Sequence, residues 1–501
     1  MLIRPGRDDV RAIGYYLGKV VTGLGVLQVV PLVFAVALGE WNDVTALTIG
    51  ASVSFAVGSV AEWRLRTGHD LSMASGMVTV ALAWLVGPAL LAVPLYLSGH
   101  FGGFTDAFYD AMSGLTTSGL ALVQDLDHVT VPINLLRHLT HFAGGQGIVV
   151  VVLTMLASSA SRVGTLYLGE GRDDRIVPNV VRTARFIYFI AAAYLVVGTA
   201  ALWATGLVAG LTPGRSLFHA VNIFMAAFDT GGFAPYSTSM GYYHSASMEA
   251  VVVVLMIAGT LSFGLHYQLW RGRKRALAQN LEMRSLAVTG TITAVVVLVG
   301  LGRAGTFTDP LSLLRKGVFT LVSAHSGTGF AVNAPRLFVT DWGLVAPAAI
   351  VLAMALGGMA SSTAGGFKAI RVGLVTKSVV RDIRRSVLPD AAVTVASYRG
   401  LTRTVVHDRE VRAAVSIVVL YMGAHVAGAL LGVYFEYPFD EALFESTSAL
   451  ANVGLSVGVT APTMPYAMKL FAILQMWLGR LEFMAAFTLA GWLYASVRGR
   501  G

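Results

Sequence analysis

The stretch that decides the fold is SLFHAVNIFMAAFDTGGF, residues 216–233. It joins a short amphipathic segment to a tetrapeptide that contains glycine, and long apolar runs flank it on both sides. The same organisation is present in DAFYDAMSGLTTSGL at 106–120, LLRKGVFTLVSAHSGTGF at 313–330 and EALFESTSALANVGL at 441–455. The tetrapeptides, numbered 1 to 4 in chain order, are Thr117-Ser118-Gly119-Leu120, Thr230-Gly231-Gly232-Phe233, Gly327-Thr328-Gly329-Phe330 and Asn452-Val453-Gly454-Leu455. Their third residues are 113, 97 and 125 positions apart, which indicates an internal repeat.

Composition places the chain in a membrane. Of 501 residues, 55% are apolar and 13% are charged, whereas ordinary soluble domains carry roughly 25% charge. This excludes a soluble globule and a disordered chain, and the net charge of +9 does not indicate nucleic-acid binding. The absence of cysteine excludes disulfides, iron–sulfur clusters, thiolate zinc sites and a catalytic cysteine.

Ten apolar runs are long enough to span a bilayer, which takes about 20 residues. They lie at 15–38, 44–61, 76–97, 133–158, 186–209, 247–270, 286–302, 343–366, 411–434 and 466–497. We expect helices, because lipid cannot satisfy an open strand edge. The first run has no small-residue cleavage site and is interpreted as a retained span rather than a signal peptide.

The charges on the connections predict sidedness. The connections 160–186, 271–285 and 367–412 are rich in arginine and lysine, whereas 39–43, 98–132, 233–246 and 435–465 contain neither residue. The basic set is therefore expected in the cytoplasm, and an even number of spans then places both termini there. These basic runs are interpreted first as solvated loops that set orientation, with a docking surface for a cytoplasmic partner as the alternative.

The short segments and tetrapeptides have the features of a cation pathway. A short helix that enters from outside and stops midway points the negative end of its dipole at the membrane centre. Backbone carbonyls beyond it can replace the water shell of an ion, and glycine permits the backbone angles that this needs. One tetrapeptide alone would be an ordinary glycine turn, but four in register favour the pathway.

We therefore predict an all-α integral membrane protein with about ten transmembrane helices. It begins with a two-helix hairpin, and four repeats follow, each made of a span, a short pore helix, a tetrapeptide and a span. The predicted boundaries are 1–68 for the hairpin and 69–180, 181–284, 285–405 and 406–501 for repeats 1 to 4.

At this point the chain resembles the Trk/Ktr/HKT superfamily of potassium uptake proteins, specifically its TrkH-like membrane subunits. The resemblance rests on the first two tetrapeptide segments, on HLTHFAGGQGIVVVVLTML at 138–156, on GGMASSTAGGFKAIRV at 357–372 and on MWLGRLEFMAAFTL at 476–489. It implies a pseudo-fourfold pore in which the four tetrapeptides form a selectivity filter and bind K⁺ chiefly through backbone carbonyls.

The resemblance also implies partners. It implies a homodimer in the plasma membrane that sits on a cytoplasmic ring of nucleotide-binding RCK subunits. The chain has no GxxxxGK[ST] phosphate loop, so nucleotide regulation would reside on another chain. K⁺ is the implied transported ion, with Na⁺ and Rb⁺ as further candidates, and we expect no cofactor on this chain, no transition metal and no nucleic acid.

The tetrapeptides depart from a uniform pattern. Hydroxyl groups occupy the first position in tetrapeptides 1 and 2 only, and leucine replaces the aromatic fourth residue in tetrapeptides 1 and 4. We expect weaker ion discrimination than a uniform filter would give. Sodium-passing relatives often carry serine at the first glycine position, so Gly119 favours potassium.

Two regions are predicted to gate the pathway. Glycine, serine and threonine make 357–366 a poor helix, although small residues also serve close helix packing, and the resemblance favours an intramembrane loop that obstructs ions. The gate residues are Gly357, Gly358, Ser361, Ser362, Thr363, Gly365, Gly366, Lys368 and Arg480. Arg480 is predicted to line the inner pore and repel cations, with a structural ion pair or an interfacial arginine as the alternative.

Four further polar residues stand out in apolar surroundings. Asp110 and Glu445 each precede a tetrapeptide glycine by nine positions, and we interpret them as capping or packing residues rather than as an outer cation field. His138 and His141 lack an evident third ligand, so no metal site is assigned.

The predicted function is channel-like potassium uptake. The alternative is a secondary transporter that couples potassium to sodium or protons. A membrane-embedded enzyme is not supported, because the chain has no HExxH motif and no compact acid–base cluster in the basic connections.

Overall fold

The computed structural model describes residues 5–69, 71–147, 180–389, 395–400 and 403–499, with side chains described outside 180–185. The first helices are α1 (Arg7–Leu38), α2 (Trp41–Arg64), α3 (Met73–Leu97), α4 (Phe104–Leu115), α5 (Val131–Gly145), α6 (Val180–Val208), α7 (Pro213–Phe228), α8 (Ala246–Thr260) and α9 (Phe263–Trp270). Short 3-10 turns lie at Leu126–His128 and Ser239–Tyr243.

The second part of the chain continues in the same way. Its helices are α10 (Arg275–Gln279), α11 (Leu281–Ala304), α12 (Pro310–Ser326), α13 (Leu337–Thr340), α14 (Val345–Leu356), α15 (Ala369–Val387), α16 (Asp408–Tyr434), α17 (Phe439–Leu450), α18 (Tyr466–Arg480) and α19 (Met484–Arg498). Between α15 and α16, β1 (Ser397–Arg399) and β2 (Arg403–Val405) form an antiparallel hairpin in which Ser397 pairs with Val405. The nearly all-helical architecture confirms the predicted fold class.

The described helices support a multi-pass membrane protein. Six are long and apolar enough to cross a bilayer: α1, α2, α3, α6, α11 and α16. The pairs α8–α9 and α18–α19 pass the same test together but are bent by 104° and 106°. Helix α5 forms the first part of the predicted span 133–158. The rest of that span from 148 onward, and most of the basic connection 160–186, lie outside the described residues.

Three predicted spans are interrupted. For 247–270 and 466–497 the prediction of a continuous helix is wrong, whereas 343–366 was also predicted to contain a loop at 357–366. The span 247–270 breaks after Thr260, where Ser262 accepts a hydrogen bond from the amide of Leu265 and starts α9 afresh. The span 343–366 stops at Leu356, and the span 466–497 breaks where Glu482 and Phe483 adopt left-handed φ angles of 49° and 66°. Each break lies near the tetrapeptides, as described below.

The helices that precede the tetrapeptides are too short to span. Helices α4, α7, α12 and α17 have 12, 16, 17 and 12 residues, which is about 18–26 Å at 1.5 Å per residue against a hydrocarbon core of about 30 Å. Proline starts α7 and α12, where its missing amide hydrogen is not needed. At most one residue separates the end of each helix from its tetrapeptide, and none of these helices is long enough to cross the hydrocarbon core by itself.

Helices that are neighbours in the chain also pack against one another. Helices α1 and α2 cross where Gly18 and Gly58 leave room for backbone contact, as small residues do in membrane helices, and α1 also packs on α3 and α5. Helices α6, α7 and α8 enclose a second apolar cluster. Leu281, Leu374 and Val406 join α11, α15 and the β-hairpin, which brings the basic connections after α9 and α14 together on one face.

Cations also occur on the connections that carry the short helices, outside the lysine- and arginine-free stretches. Arg315 forms two hydrogen bonds with Glu249, at 2.7 and 2.6 Å, and Arg336 lies 3.3 Å from Glu441. Arg215 donates to the hydroxyl groups of two tyrosines. Arg315 thus pairs with a residue of α8 and Arg336 with a residue of α17, whereas Arg215 finds its partners in its own connection. The lysine- and arginine-free stretches remain the contrast to the basic face, which is formed by the connections 271–285 and 367–412.

Candidate functional site

The four tetrapeptides share one backbone conformation. The first-position residues Thr117, Thr230, Gly327 and Asn452 have φ angles of 56°, 50°, 74° and 53°. The third-position residues Gly119, Gly232, Gly329 and Gly454 have φ angles of 76°, 78°, 88° and 101°. The second-position residues are outside the left-handed region. This alternation turns successive amide groups to one side of the chain and successive carbonyls to the other.

The amide side of each tetrapeptide faces its own short helix. The second-position amides donate five residues back, from Ser118 to Ser113 at 2.8 Å, Gly231 to Ala226 at 2.8 Å, Thr328 to Ser323 at 2.9 Å and Val453 to Ser448 at 2.9 Å. Within the described part of the chain, no second- or third-position carbonyl accepts a hydrogen bond. The carbonyls are therefore available to a ligand on the side away from the helices.

The tetrapeptides are neighbours in a closed ring. A β-carbon on each third-position glycine would collide with the second-position carbonyl of the next tetrapeptide. The contacts run from Gly119 to Gly231, from Gly232 to Thr328, from Gly329 to Val453 and from Gly454 back to Ser118. The structure thus brings all sixteen predicted filter residues together in the cyclic order 1-2-3-4, and glycine is required because backbone meets backbone.

A wide mouth opens beside this ring. A cavity of about 420 Å³ is lined by the third-position glycines, by Asp125 and Asp127, and by Arg137. The hydrogen bond with His128, 2.7 Å from Asp125, lowers the pKa of Asp125, so this carboxylate keeps its negative charge. The charge of Arg137 is paired with Asp110, which leaves the mouth favourable to cations.

The other side of the ring is covered by residues 357–368, which we name the glycine loop. Hydrogen bonds connect this loop to tetrapeptide 2 and its surroundings. The Thr363 hydroxyl donates to the carbonyls of Phe228 and Gly259 and lies 3.1 Å from the Thr230 hydroxyl. A β-carbon on Gly365 would meet the backbone of Ala451, next to tetrapeptide 4. The loop therefore lies across the underside of the ring rather than continuing as a helix.

Close backbone contacts explain why the glycine loop consists of small residues. Gly357 has a φ of 68°, and a β-carbon on it would collide with the carbonyl of Gly365, while Gly366 lies against Gly357 in turn. A β-carbon on Gly327 of tetrapeptide 3 would stand 3.4 Å from the Gly365 amide. Gly358, Ser361 and Ser362 occupy the remaining turns of the loop, and Ser362 donates to the carbonyl of Met359 at 2.7 Å. The reading as a packed continuous helix is therefore wrong.

Arg480 completes the cover beneath tetrapeptide 1. Its guanidinium donates to the Thr117 hydroxyl at 3.1 Å, to the Thr363 carbonyl at 2.9 Å and to the Gly144 carbonyl at 2.5 Å. It also stacks over the ring of Trp84 at 5.2 Å. Arg480 thus links α18, α5 and the glycine loop, directly below the ring.

The remaining charges at the α18–α19 break form one cluster. Glu482 forms an ion pair with Arg371 and lies 3.9 Å from the Lys368 ammonium, which also donates to the Ala364 carbonyl. Glu282 accepts a hydrogen bond from the amide of Ala360 at 2.7 Å. The cluster ties both ends of the glycine loop to the protein, since a buried charge without a partner is costly.

In the part of the chain that the structure describes, neither Asp110 nor Glu445 accepts a hydrogen bond from a short-helix amide, so the capping interpretation is wrong and the packing interpretation holds. Asp110 forms a two-pronged ion pair with Arg137 at 2.8 and 3.1 Å, with both side chains buried. Glu445 accepts hydrogen bonds from the amides of Val457 and Val459, at 2.9 and 3.2 Å, in the segment that follows tetrapeptide 4. Both carboxylates hold elements around the ring in place.

His138 and His141 both lie behind tetrapeptide 2. His138 Nε2 is 3.1 Å from the Phe233 carbonyl, and the His141 ring lies 4.2 Å from the Phe233 ring, edge to face. A β-carbon on Gly231 would collide with His141, which explains the glycine at a second position. Among the described residues, no group of three potential ligands could hold a transition metal.

Sequence reasoning missed several residues that contact the ring, Arg480 or the charge cluster beside it. Arg137, Trp84 and Gly144 were not singled out, and Arg371 was counted only as a basic-loop residue. An arginine in the apolar context of Arg137 is itself a signal, because such a residue needs a partner within the membrane. The partner Asp110 lies 27 positions away, a separation that sequence periodicity does not connect.

Comparison with known proteins identifies the family. A family model described as TrkH, a cation transport protein, matches residues 44–494. The chain belongs to the TrkH family of cation transport proteins. The family consists of transporters and not of enzymes.

Individual relatives extend over most of the chain. An uncharacterized cation transporter of Methanocaldococcus jannaschii is 28% identical, covering 98% of this chain and 98% of its own. The Trk system potassium uptake protein TrkH of Escherichia coli K12 is 27% identical and covers 86% of this chain and 88% of its own. The crystal structure of the potassium transporter TrkH from Vibrio parahaemolyticus matches with a TM-score of 0.81 at 24% identity, over 96% of this chain and 98% of that one, and shares its fold.

Proposed function

We propose that this transporter conducts K⁺ into the cell through the ring of four tetrapeptides. The observation that carries the proposal is the closed ring of left-handed third-position glycines, whose second- and third-position carbonyls accept no hydrogen bond from any described residue. Relatives named as potassium uptake proteins support K⁺ as the ion. The oxygen of a backbone carbonyl can replace water around K⁺ without carrying a full charge that would trap it.

The short helices add to the same preference. The carbonyl ends of α4, α7, α12 and α17 point towards the ring, where the helix dipole favours a positive ion. A membrane potential supplies about 2.3 kcal/mol per charge for each 100 mV. That drive is enough to accumulate K⁺ without ATP chemistry on this chain.

The glycine loop and Arg480 are proposed as the gate. They meet all four tetrapeptides from below, through Thr363, Gly365 and Arg480. A guanidinium next to the ring repels a cation that leaves it. Conduction then requires the loop to move off the ring, together with Arg480 or its charge.

We further propose that the basic face is cytoplasmic and receives a regulatory partner. The basic connections and the β-hairpin meet on that face, and the arginine-rich α15 begins directly after the glycine loop. A ring of nucleotide-binding RCK subunits docked there could pull on α15 and so on the loop. A homodimer with both termini cytoplasmic fits this arrangement.

A flux assay in liposomes tests the proposal. Purified protein is reconstituted, a potassium gradient sets the voltage, and uptake of radiolabelled rubidium is followed with and without competing Na⁺. We expect voltage-driven uptake that K⁺ competes for more strongly than Na⁺. No uptake would contradict the proposal, and a reversal potential that follows the sodium or proton gradient would establish coupled transport instead.

A further inference from the structure

The fourth-position carbonyls of the ring are of two kinds. The Phe233 carbonyl of tetrapeptide 2 lies 3.1 Å from His138 Nε2, and the Phe330 carbonyl of tetrapeptide 3 accepts a hydrogen bond from the Ser323 hydroxyl at 2.7 Å. Within the described part of the chain, the carbonyls of Leu120 and Leu455 in tetrapeptides 1 and 4 accept none. At the mouth of the ring, two fourth-position carbonyls are therefore held by side chains, and the other two are available to an ion.

The contacts with His138 and Ser323 direct the two carbonyls outward, away from the centre of the ring. Ser323 belongs to α12, the short helix behind tetrapeptide 3, and His138 belongs to α5, behind tetrapeptide 2. Both side chains are fully buried. A carbonyl that points at either residue points away from the axis on which an ion would travel.

Contacts with α5 hold Phe233 and the residues next to it in place. The Phe233 ring lies between the Arg137 guanidinium, 4.1 Å from its centre, and the His141 ring at 4.2 Å. Asn134 Nδ2 donates to the Pro235 carbonyl at 3.2 Å. Residues 134, 137, 138 and 141 lie on one face of α5, as their spacing of three and four positions requires, and this face follows tetrapeptide 2 along its length.

His138 has acceptors on both edges. Its Nδ1 is 2.8 Å from the Asn134 carbonyl, and its Nε2 faces Phe233. A neutral imidazole carries one N–H, so it donates to one of the two carbonyls, and a doubly protonated ring donates to both. His138 holds the Phe233 carbonyl when Nε2 carries a proton, that is, in the neutral ring protonated at Nε2 or in the doubly protonated ring.

We propose that His138 and Ser323 are positioning residues that set how tightly the mouth binds a monovalent cation. They withhold two carbonyls, so that the outermost ion is coordinated from the tetrapeptide 1 and 4 side, by Leu120 and Leu455, and keeps part of its water shell. Tetrapeptides 2 and 3 are neighbours in the ring, as are 4 and 1, so the free carbonyls lie side by side. This inference rests on the proposed function.

The test separates ion affinity from maximal rate. His138→Leu and Ser323→Ala release one carbonyl each, and the freed oxygen adds a ligand. We expect the half-saturating Rb⁺ concentration to fall about threefold to tenfold, with a lower maximal rate because the ion leaves more slowly. His138→Gln, which keeps a donor, should restore wild-type values, whereas general damage to packing would not distinguish glutamine from leucine.

Two matched controls lie away from the ring. His266 Nε2 is 2.9 Å from the Ala258 carbonyl and Ser216 donates to the Trp203 carbonyl at 2.8 Å, and both side chains are buried. His266→Leu and Ser216→Ala should keep the wild-type half-saturating concentration. If His138→Leu does not fold, Ser323→Ala decides alone.

The outcomes are distinct from those of the proposed function. A wild-type protein without rubidium flux contradicts the proposed function itself. Wild-type flux together with an unchanged or raised half-saturating concentration in Ser323→Ala and His138→Leu overturns only this inference.

Discussion

The two sides of the ring are built in different ways. Above, four tetrapeptides repeat one backbone conformation, and each is held by its own short helix and by its neighbour. Below, single elements that do not repeat cover the ring: the glycine loop after α14 and Arg480 at the end of α18. Four equivalent backbone segments would bind an ion together, so that each contributes part of the binding. A cover that depends on single side chains can instead be displaced by changing one side chain.

The largest expected effect tests the repeated side. Gly329→Ala places a β-carbon against the Val453 carbonyl at a φ of 88° and should reduce rubidium flux by at least about tenfold, since loss of 1.4 kcal/mol of ion stabilisation already has that effect. Gly210 has a similar φ of 90° but open space around it. Gly210→Ala shares the backbone strain without the collision, so it should retain flux, and equal flux in both variants would contradict the ring.

The next effect tests the cover. Arg480→Gln removes a charge and weakens three hydrogen bonds to the ring, the loop and α5. Because hydrogen bonds to charged groups contribute about 1.5–3 kcal/mol each, we expect flux without a regulatory partner to rise several-fold. Arg315→Gln, which breaks the ion pair with Glu249 away from the cover, is the control. Unchanged flux without a regulatory partner in Arg480→Gln would show that Arg480 is not part of the gate.

A smaller effect is expected from one hydroxyl of the glycine loop. Thr363→Val keeps the shape of the side chain but loses the bonds to Phe228 and Gly259. Each such bond contributes about 0.5–1.5 kcal/mol, so basal flux should rise about twofold to fivefold. Thr376→Val removes a comparable threonine bond on α15 and should have no effect. A loop that does not move during conduction would give the same flux in both variants.

The smallest effect concerns the mouth. Asp125→Asn removes a negative charge from the cavity and should lower initial uptake less than about twofold at low salt, with no difference at high salt where the charge is screened. Because hydrogen bonding lowers the pKa of Asp125 below 3.8, the wild-type carboxylate stays ionised as the pH falls from 7 to 5. The ratio of wild-type to variant uptake should therefore be constant over this range. A ratio that approaches one at pH 5 would contradict this.

The sequence predicted the repeated side better than the cover. Four glycines in register locate the ring because each segment has the same local structure. A short helix is followed by a tetrapeptide whose first and third residues have left-handed φ angles. The cyclic order follows from the order of the repeats along the chain. Hydropathy, by contrast, presented 343–366 as one span, because the glycine loop directly follows an apolar helix and contains no charged residue before Lys368.

The contacts of single residues were beyond sequence reasoning. Arg480 meets Thr117 across 363 positions, and Asn452 donates to the Ser118 hydroxyl at 2.7 Å across 334 positions. Such pairs depend on how the repeats close on one another, which no local pattern records. Asp110 illustrates the same limit, since its position suggested a cap and its partner proved to be Arg137.

If ions bind between the carbonyls of the four tetrapeptides, a crystal structure grown with Tl⁺ in place of K⁺ will locate them directly. We expect anomalous density on the ring axis, within coordination distance of the second- and third-position carbonyls, and weaker density there in Gly329→Ala. Strong thallium density elsewhere in the membrane region with none inside the ring would show that ions do not bind between the tetrapeptides.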